Sequence, residues 1–186
     1  MKVYSYVVTH DYGFAPNPFG GVLTLATCKP QIRKNAKVGD WIMGTGSAGG
    51  IGKEKLIFTG KVTEILTIEA YGISNKYKFK IPDKGSEKWR RRGDNIYYLD
   101  SHGEWIQRIN PFHGPHDQSH DLSGKNVLVC REFWYFGASA PILPTEFMSL
   151  VKKGPAHKHN QDNPYVPKFL SWLKTHRSGL RGPPSG

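Results

Sequence analysis

The sequence is poor in cysteine and in acidic residues, and it lacks a long apolar segment. Its 186 residues include two cysteines, Cys28 and Cys130, which match no metal-binding spacing. We expect two free thiols in a reducing cytoplasm, and a disulfide between them is the alternative. No apolar run approaches the roughly 20 residues of a membrane span, and the N-terminus lacks the features of a signal peptide. A cytoplasmic protein without a membrane segment is therefore predicted.

Aromatic residues, glycine and proline are abundant instead. The chain is 12% aromatic and contains 21 glycines and 13 prolines. Many turns combined with many ring side chains favour a β-rich architecture over a helical bundle. We predict one domain over residues 1–176 and a flexible C-terminal tail over residues 177–186.

Positive charge is concentrated in two segments of a chain whose net charge is +11. Residues 76–92 contain eight Lys or Arg and two acids, and residues 150–186 contain seven and one, so each segment carries +6. Two basic segments are typical of a protein that binds a polyanion. Nucleic acid is therefore the expected partner, and a generally basic surface without a partner is the alternative.

Apolar periodicity predicts alternating strands and short helices. Pro30 suits the first position of a helix, and Thr67 followed by Gly72 indicates a short capped helix. The segment 126–137 is the most apolar and is predicted to be a central strand that ends in an aromatic corner. The other predicted elements are strands at 3–8, 22–27, 40–43 and 55–63 and a C-terminal helix within 163–176.

The glycine-rich stretch from Gly44 to Gly52 fits the pattern G-x-G-x-x-G. A phosphate-binding loop of this kind requires a strand before it and a helix after it. Here the residues after the glycines alternate with period two, which predicts a second strand. We therefore expect a flexible connection between antiparallel strands.

The segment Lys76–Ile81 alternates strictly and is predicted to be a strand with one lysine face. Such a face either protects a sheet edge or contacts a nucleic-acid backbone. Three consecutive arginines follow, next to Trp89, and arginine among aromatic rings suits phosphate and base contacts. The predicted phosphate-binding residues are Lys76, Lys78, Lys80, Arg90, Arg91 and Arg92.

Several residues are candidates for chemistry. His113, His116, Asp117, His120 and Asp121 are crowded into one loop, but no zinc-hydrolase or zinc-deaminase motif accompanies them, and we predict neither a metal nor a cofactor. Cys28 precedes Lys29, whose charge favours a thiolate. The sequence places no base within reach of this thiol, so a buried inert cysteine is the alternative. The catalytic candidates are Asp11, Cys28, Lys29, Asp40 and His113.

The loop "YGFAPNPFGG" places Asn17 between two prolines and among aromatic rings. Proline restricts the backbone, and an asparagine amide can pair with a base edge. Aromatic rings can stack on a base. The loop therefore suits a base pocket, and a rigid loop that merely packs is the alternative.

The stretches "SYVVTHDYGFAPNPFGGVLTLATCKPQIRKNAKVGDWIMGTGS", "KLIFTGKVTEIL" and "VLVCREFWYFG" resemble the nucleotide modification associated domain 2 family. The likeness extends from about Ser5 to Leu66 and from Asp121 to Gly137. It implies a bacterial or phage protein linked to DNA base hypermodification. More loosely, the chain resembles PUA-like folds, including the EVE and ASCH modules, which bind nucleic acid and often hold one base in an aromatic pocket.

The PUA-like resemblance implies an α+β fold: a mixed β-barrel with short helices and a C-terminal helix. Its base pocket would be formed by Phe14, Asn17, Phe19, Arg33, Trp41, Ser47, Trp134, Tyr135 and Phe136. The leading interpretation is a domain that binds nucleic acid, with DNA favoured over RNA, or a nucleotide, and that recognises a base, including a modified one. The first alternative is an enzyme that modifies or hydrolyses a base or nucleotide in the same pocket, and the second is a basic protein-interaction module.

Overall fold

The computed structural model describes residues 1–85 and 87–186, so only Ser86 of the basic segment 76–92 lies outside it. The strands are β1 Val3–Val8, β2 Leu23–Leu25, β3 Trp41–Gly46, β4 Leu56–Lys61, β5 Glu64–Thr67, β6 Tyr97–Leu99, β7 Trp105–Gln107, β8 Asn126–Cys130, β9 Glu132–Tyr135, β10 His157–Asn160 and β11 Gly179–Leu180. The α-helices are α1 Pro30–Asn35, α2 Ile68–Ile73, α3 Gln118–Leu122 and α4 Val166–Leu173. Short 3₁₀ helices span Asn75–Lys80, Arg90–Arg92, Pro115–Asp117, Gly137–Ser139 and Thr145–Leu150.

The largest sheet has six strands in the order β10-β1-β3-β4-β9-β11. β1 and β3 are parallel, with Val3 opposite Trp41, whereas β3, β4 and β9 pair antiparallel. β2, β8 and β5 form a second antiparallel sheet, and β6 and β7 form a hairpin. The predicted α+β class is confirmed. The predicted barrel is not found in the described residues, because β10 and β11 end the large sheet without pairing with each other.

Local sequence signals explain several elements. Pro30 occupies the first turn of α1, where its missing N–H costs no hydrogen bond. The Thr67 side chain accepts a hydrogen bond from the Ala70 N–H at 3.1 Å and caps α2 as predicted. A Cβ atom at Gly44 would lie 2.2 Å from the Phe58 ring, so only glycine lets β3 pack against this ring of β4. The glycine-rich connection therefore joins two antiparallel strands, and it is not followed by a helix.

The predicted strand at Lys76–Ile81 is wrong. Residues 75–80 instead form 3₁₀-helical turns with a kink at Tyr77. Tyr77 and Lys80 are both buried and are 2% and 1% exposed. The lysine face therefore does not exist as predicted, and Lys80 cannot meet a phosphate on the surface.

The apolar segment 126–137 links the two sheets. It was predicted as one central strand, but it turns at Arg131 and contributes β8 to the three-stranded sheet and β9 to the six-stranded sheet. Val127 faces the smaller core, whereas Leu128 and Cys130 belong to the larger one. The segment therefore connects the two sheets directly, and α3 precedes it in the chain.

The predicted C-terminal helix is confirmed as α4, with Phe169 and Leu173 buried. The segment predicted as a tail, residues 177–186, includes β11, which pairs in parallel with β9. Farther on, Ser185 donates hydrogen bonds from its backbone N and its Oγ to Asp11. Among the described residues, the helices are all too short or too polar to cross a bilayer.

Candidate active site

Cys28 lies on a sharp turn between strand β2 and helix α1. Its φ is +54°, and that of the following Lys29 is +40°, so two consecutive non-glycine residues adopt the left-handed conformation. This conformation is strained for residues with a Cβ atom and persists only where surrounding contacts impose it. One such contact is a 2.7 Å hydrogen bond from the Cys28 N–H to Oδ1 of Asp121. The thiol of Cys28 is partly accessible, whereas that of Cys130 is buried, and both are free.

Cys28, His113 and Asp121 form a continuous chain of polar contacts. Nε2 of His113 lies 3.4 Å from Sγ of Cys28, and Nδ1 of the same ring lies 2.6 Å from Oδ2 of Asp121. A nucleophile, a base and a carboxylate that orients the base are arranged in this order in hydrolases and transferases with a catalytic triad. The structure thus brings together two of the predicted catalytic residues, Cys28 and His113. Asp121 was predicted only as a member of a metal-like cluster.

The loop between β7 and α3 positions the His113 ring. Oδ1 of Asn110 accepts hydrogen bonds from the Phe112 and His113 N–H groups, at 2.9 and 2.7 Å. The His113 carbonyl accepts hydrogen bonds from Nδ2 of Asn110 and Nε2 of Gln107. These contacts hold the backbone of His113 in place. The position of the imidazole beside Cys28 is therefore supported by the loop backbone as well as by the contacts of the ring.

The charge state of His113 is set by its two partners. Burial alone would lower its pKa, but the hydrogen bonds and charges of Asp121 and Cys28 raise the pKa from 6.5 to about 10. His113 is therefore protonated at neutral pH when Cys28 carries a negative charge. An imidazolium next to a thiol stabilises the thiolate, which is the nucleophilic form of cysteine.

Asp121 is fully buried, and both of its carboxylate oxygens are engaged. Oδ1 accepts from the Cys28 N–H, and Oδ2 accepts from the Tyr97 hydroxyl at 3.0 Å as well as from His113. The Cys28, His113 and Asp121 donor atoms lie within 4.8 Å of one another, as in a metal site. A metal ligand needs a free lone pair directed at the ion, however, and here both ring nitrogens of His113 are engaged, Nε2 with Cys28 and Nδ1 with Asp121. The donor set therefore fits a triad better than a metal centre.

Arg33 clamps the backbone around this triad. It is 0% exposed, and its guanidinium donates to the carbonyls of Cys28, Asp121 and Asn126 at 3.0, 2.7 and 2.8 Å. Burial lowers its pKa to about 10, against the opposing charges of Asp121 and Cys28. A Cβ atom at Gly124 would lie 2.6 Å from the Arg33 guanidinium carbon, so glycine is required there. Arg33 was predicted to contact a base, but its guanidinium instead holds the backbone around Cys28 in position.

A row of stacked aromatic rings leads from the surface to His113. Ring centroids are 5.8 Å apart for His10 and Tyr12, 5.6 Å for Tyr12 and Phe112, and 4.8 Å for Phe112 and Phe14. Phe14 meets the His113 ring edge-on at 4.9 Å. Tyr12 is 43% exposed, so the row begins at the surface.

Tyr6 of β1 is a further polar group at this site, and sequence reasoning missed it. Its side chain is buried, and its hydroxyl has no hydrogen-bond partner among the described residues. Burial raises its pKa, as do the nearby charges of Cys28 and Asp11. A buried hydroxyl without a hydrogen-bond partner costs folding free energy, so such a group calls for an explanation such as a role at a functional site. Tyr6 occupies an ordinary buried position of strand β1, so no signal in the sequence marked it as part of a functional site.

The other predicted catalytic residues are not members of the relay. Asp11 accepts hydrogen bonds from the Tyr135 hydroxyl and from Ser185. Asp40 accepts from the backbone N–H groups of Lys2 and Lys37 and closes a turn. Lys29 adjoins Cys28 in sequence, and its ammonium lies 4.8 Å from the centre of the Tyr6 ring, at the edge of a cavity.

The residues predicted for a base pocket are distributed over several places. Trp41 and Trp134 are buried and stack with their centroids 6.2 Å apart. Tyr135 and Phe136 lie in the same core, Phe14 belongs to the smaller core, and Phe19 packs near Trp89. Ser47 lines the cavity next to Lys29.

Asn17, also predicted for the base pocket, uses its amide within the protein. Nδ2 donates to the carbonyls of Gly13 and Arg92, at 3.2 and 2.7 Å. Oδ1 accepts from the Phe19 N–H and from Nζ of Lys80, at 3.3 and 2.7 Å. The side chain is 1% exposed, so it stabilises the loop that precedes β2.

The residues predicted to bind phosphate differ in their availability. Lys76 pairs with Glu64 at 2.7 Å, and Nζ of Lys80 is buried against the carbonyls of Asn17 and Val22. Burial lowers the pKa of Lys80 to about 7, although Asp94 opposes this shift. Arg90 lies 3.7 Å from Asp83, and Arg92 donates to the Tyr12 carbonyl. Lys78 and Arg91 are exposed and keep their charges at the surface.

Comparison with known proteins connects the chain to one family. Its sequence matches the family described as nucleotide modification associated domain 2 over residues 1–186, the whole chain. No curated protein matches the chain. No solved structure matches it either.

Proposed function

Because the chain belongs to the nucleotide modification associated domain 2 family, we propose that it is a cysteine-dependent enzyme that acts on an acyl group carried by a base or nucleotide. One observation carries this proposal: Cys28, His113 and Asp121 form a hydrogen-bonded relay on a strained strand-to-helix turn. The family associates the chain with nucleotide modification, and the relay supplies a nucleophile for it.

The reaction has two steps. Sγ of Cys28 attacks the acyl carbon, the bond from this carbon to the base nitrogen breaks, and His113 gives its proton to the leaving nitrogen. A thioester on Cys28 results. Water then attacks the thioester and gives a proton to His113, the carbon–sulfur bond breaks, and the thiolate returns as the carboxylic acid leaves. An amine in place of water would transfer the acyl group instead.

The backbone around Cys28 supports this chemistry. In enzymes with a nucleophile on a sharp strand-to-helix turn, the N–H of the next residue stabilises the oxyanion that forms at the acyl carbon. Here the next residue is Lys29, whose N–H donates no hydrogen bond within residues 1–85 and 87–186. Asp121 holds the His113 tautomer and stabilises the imidazolium, which is the role of the third triad residue.

The proposed partner is nucleic acid or a nucleotide. The row of rings that ends at His113 reaches the surface at Tyr12, where an exposed aromatic side chain can contact a base. The exposed side chains of Lys78 and Arg91 supply surface charge for phosphates. A base that carries an acyl group would thus be guided towards Cys28 from the Tyr12 side.

The test uses a mononucleotide and a short oligonucleotide that carry an N-acylated cytosine. After brief incubation and acid quench, intact-mass spectrometry is expected to find the acyl group on the wild-type protein. We expect Cys28→Ser to lose turnover by about 10³-fold or more, since a triad acts as one unit. Cys130→Ala is the matched control, because Cys130 is buried in the larger core and is not a member of the relay, and we expect this variant to retain the adduct. Turnover that survives Cys28→Ser would overturn the proposal.

Recognition of a base without turnover is the second candidate, and the exposure of the Tyr12 side chain at the surface favours it. It predicts that Cys28→Ser binds modified and unmodified oligonucleotides with the same preference as the wild type and that neither protein forms an adduct. A Tyr12→Ala variant would then lose about 1–3 kcal/mol of stacking free energy.

A further inference from the structure

Lys29, the residue that follows Cys28, lines a cavity whose charged lining in the described part of the chain is entirely basic. Its volume is about 580 Å³, and its lining includes Lys29, Lys53, Lys152 and Lys153 together with Ser47. Asp and Glu are absent from its lining in the described part of the chain. Cavities of this volume are large enough for a nucleotide.

The four lysines are not neutralised by the protein. None of them forms an ion pair within residues 1–85 and 87–186. A depression of about 640 Å³ adjoins the cavity, shares Lys152 and Lys153 with it and adds Lys158. His157 lies there, and its pKa is lowered by burial and by the charges of His159, Lys29 and Lys152. Cations that repel one another at short range are stabilised by an anion between them.

The loops that close the cavity come from distant parts of the chain. Ser47 and Lys53 belong to the connection between β3 and β4, whereas Lys152 and Lys153 precede β10, and Lys29 follows Cys28. The backbone N–H of Lys152 donates to Oγ of Ser5 at 2.9 Å, which attaches this segment to β1. The lysines therefore converge because the fold places β1 between β3 and β10.

We propose that this lysine cavity binds the phosphate group of a nucleotide whose base is processed at Cys28. The part of this inference that concerns Cys28 rests on the proposed function. The binding of phosphate by the lysine cavity does not depend on it. Lys29 connects the two places, since it lines the cavity and directly follows Cys28 in the chain. Lysine ammonium groups bind phosphate as point charges and need no glycine-loop geometry.

The test measures binding by calorimetry, with Cys28→Ser as the background so that turnover does not interfere. The ligands are cytidine, cytidine monophosphate and a short cytidine-containing oligonucleotide. We expect the monophosphate to bind at least about ten-fold more tightly than the nucleoside, which corresponds to one charge-assisted contact. The double variant Lys152→Ala and Lys153→Ala loses this difference. The double variant Lys34→Ala and Lys37→Ala is the control. It removes the same charge from exposed positions, and we expect it to retain the difference in affinity between the monophosphate and the nucleoside.

The arms of the test separate the possible sources of phosphate. Loss of monophosphate binding in the cavity variant supports a free nucleotide. Loss of oligonucleotide binding alone supports a backbone phosphate in the same cavity. Equal binding of cytidine and its monophosphate together with unchanged oligonucleotide binding in the variant of Lys152 and Lys153, or equal losses in both double variants, would overturn the proposal. If the ligands bind in the expected pattern but the wild-type protein never forms an adduct, the proposal that the lysine cavity binds phosphate stands. Only the proposed chemistry at Cys28 is then rejected.

Discussion

Nε2 of His113 lies 3.4 Å from Sγ of Cys28 although 85 residues separate them in the chain. The contact is made because Arg33 and Asp121 attach the turn of Cys28 to the segment that ends in α3. The sequence showed no partner for the Cys28 thiol, and this contact makes the thiol the first member of a relay. The predictions below concern this relay, the contacts that support it and the basic surface.

We predict that His113 makes Cys28 more reactive towards alkylation. The pKa of about 10 keeps the His113 ring protonated at neutral pH, and a positively charged ring beside a sulfur favours its nucleophilic form. Iodoacetamide should therefore label Cys28 faster in the wild-type protein than in His113→Gln at pH 7. Peptide mapping checks that the label is on Cys28, and equal labelling rates in both proteins would contradict the relay.

The stability contribution of His113 should also depend on pH. Its pKa in the folded protein, about 10, lies above its ordinary value of 6.5, so folding favours the protonated ring. The contribution is therefore fully present below about pH 6.5 and is lost as the pH rises through about 10. We expect the difference in unfolding free energy between wild type and His113→Gln to be larger at pH 6 than at pH 10. Urea denaturation at both values measures it, and a larger difference at pH 10 would reject the assignment.

Loss of the Arg33 clamp should destabilise the fold. Arg33→Met leaves the carbonyls of Cys28, Asp121 and Asn126 without their donor, and we expect a loss of about 3–5 kcal/mol. Arg33→Lys retains the charge but not the fork of donors, so it should recover only part of this loss. Exposed Arg131→Met is the control. Unchanged denaturation of Arg33→Met would mean that the guanidinium is not needed for the turn.

Asn17 is expected to support the fold through its internal hydrogen bonds. Asn17→Ala removes the partner of Nζ of Lys80 and the donor to two carbonyls, at a cost of about 1–3 kcal/mol. Asn35→Ala is the matched control, since its amide bonds only to the Gln31 carbonyl on the surface and its loss should cost less than about 0.5 kcal/mol. A stable Asn17→Ala variant with altered base preference would restore the sequence-based prediction of a base contact.

Binding to duplex DNA should weaken steeply with salt. Each neutralised phosphate contributes about −0.9 to the slope of log K against log salt concentration, so several contacts give about −3 or steeper. Lys78→Ala together with Arg91→Ala should flatten the slope by about 1–2, because both side chains are exposed. Lys76→Ala should change it less, because Lys76 pairs with Glu64. Fluorescence anisotropy measures the slope, and absent binding at about 50 mM salt would exclude DNA as a partner.

Local signals in the sequence predicted the elements they directly specify. The bounds of β1, the start of α1 at Pro30 and the cap of α2 at Thr67 are confirmed, because each depends on alternation or on one residue type. The segment 76–81 was misread because lysines alternating with aromatic residues fit a strand as well as a 3₁₀ helix. The buried acceptors that draw Lys80 inward, Asn17 and Val22, lie far away in the chain.

The candidate site was predictable only in part, for a similar reason. Residue type alone identified Cys28 and His113 as reactive, but it could not bring them together. The contact depends on the Asx turn at Asn110 and on the attachment of Asp121 to the Cys28 N–H. Asp121 stood among five ionisable residues in one loop, and nothing in their spacing singled it out. The lysine cavity was hidden because its members come from three separate loops.

The position of β1 in the large sheet has a consequence for the order of folding. One edge of β1 pairs with β3, and the other edge pairs with β10. In the second pair Val3 lies opposite Asn160, which follows it by 157 residues. On a translating ribosome this second edge stays without its partner until the residues of β10 have been synthesised. Open strand edges recruit strands of neighbouring chains, and closing such long loops is slow. Production at low temperature or with chaperones should therefore raise the soluble yield more than any change near Cys28.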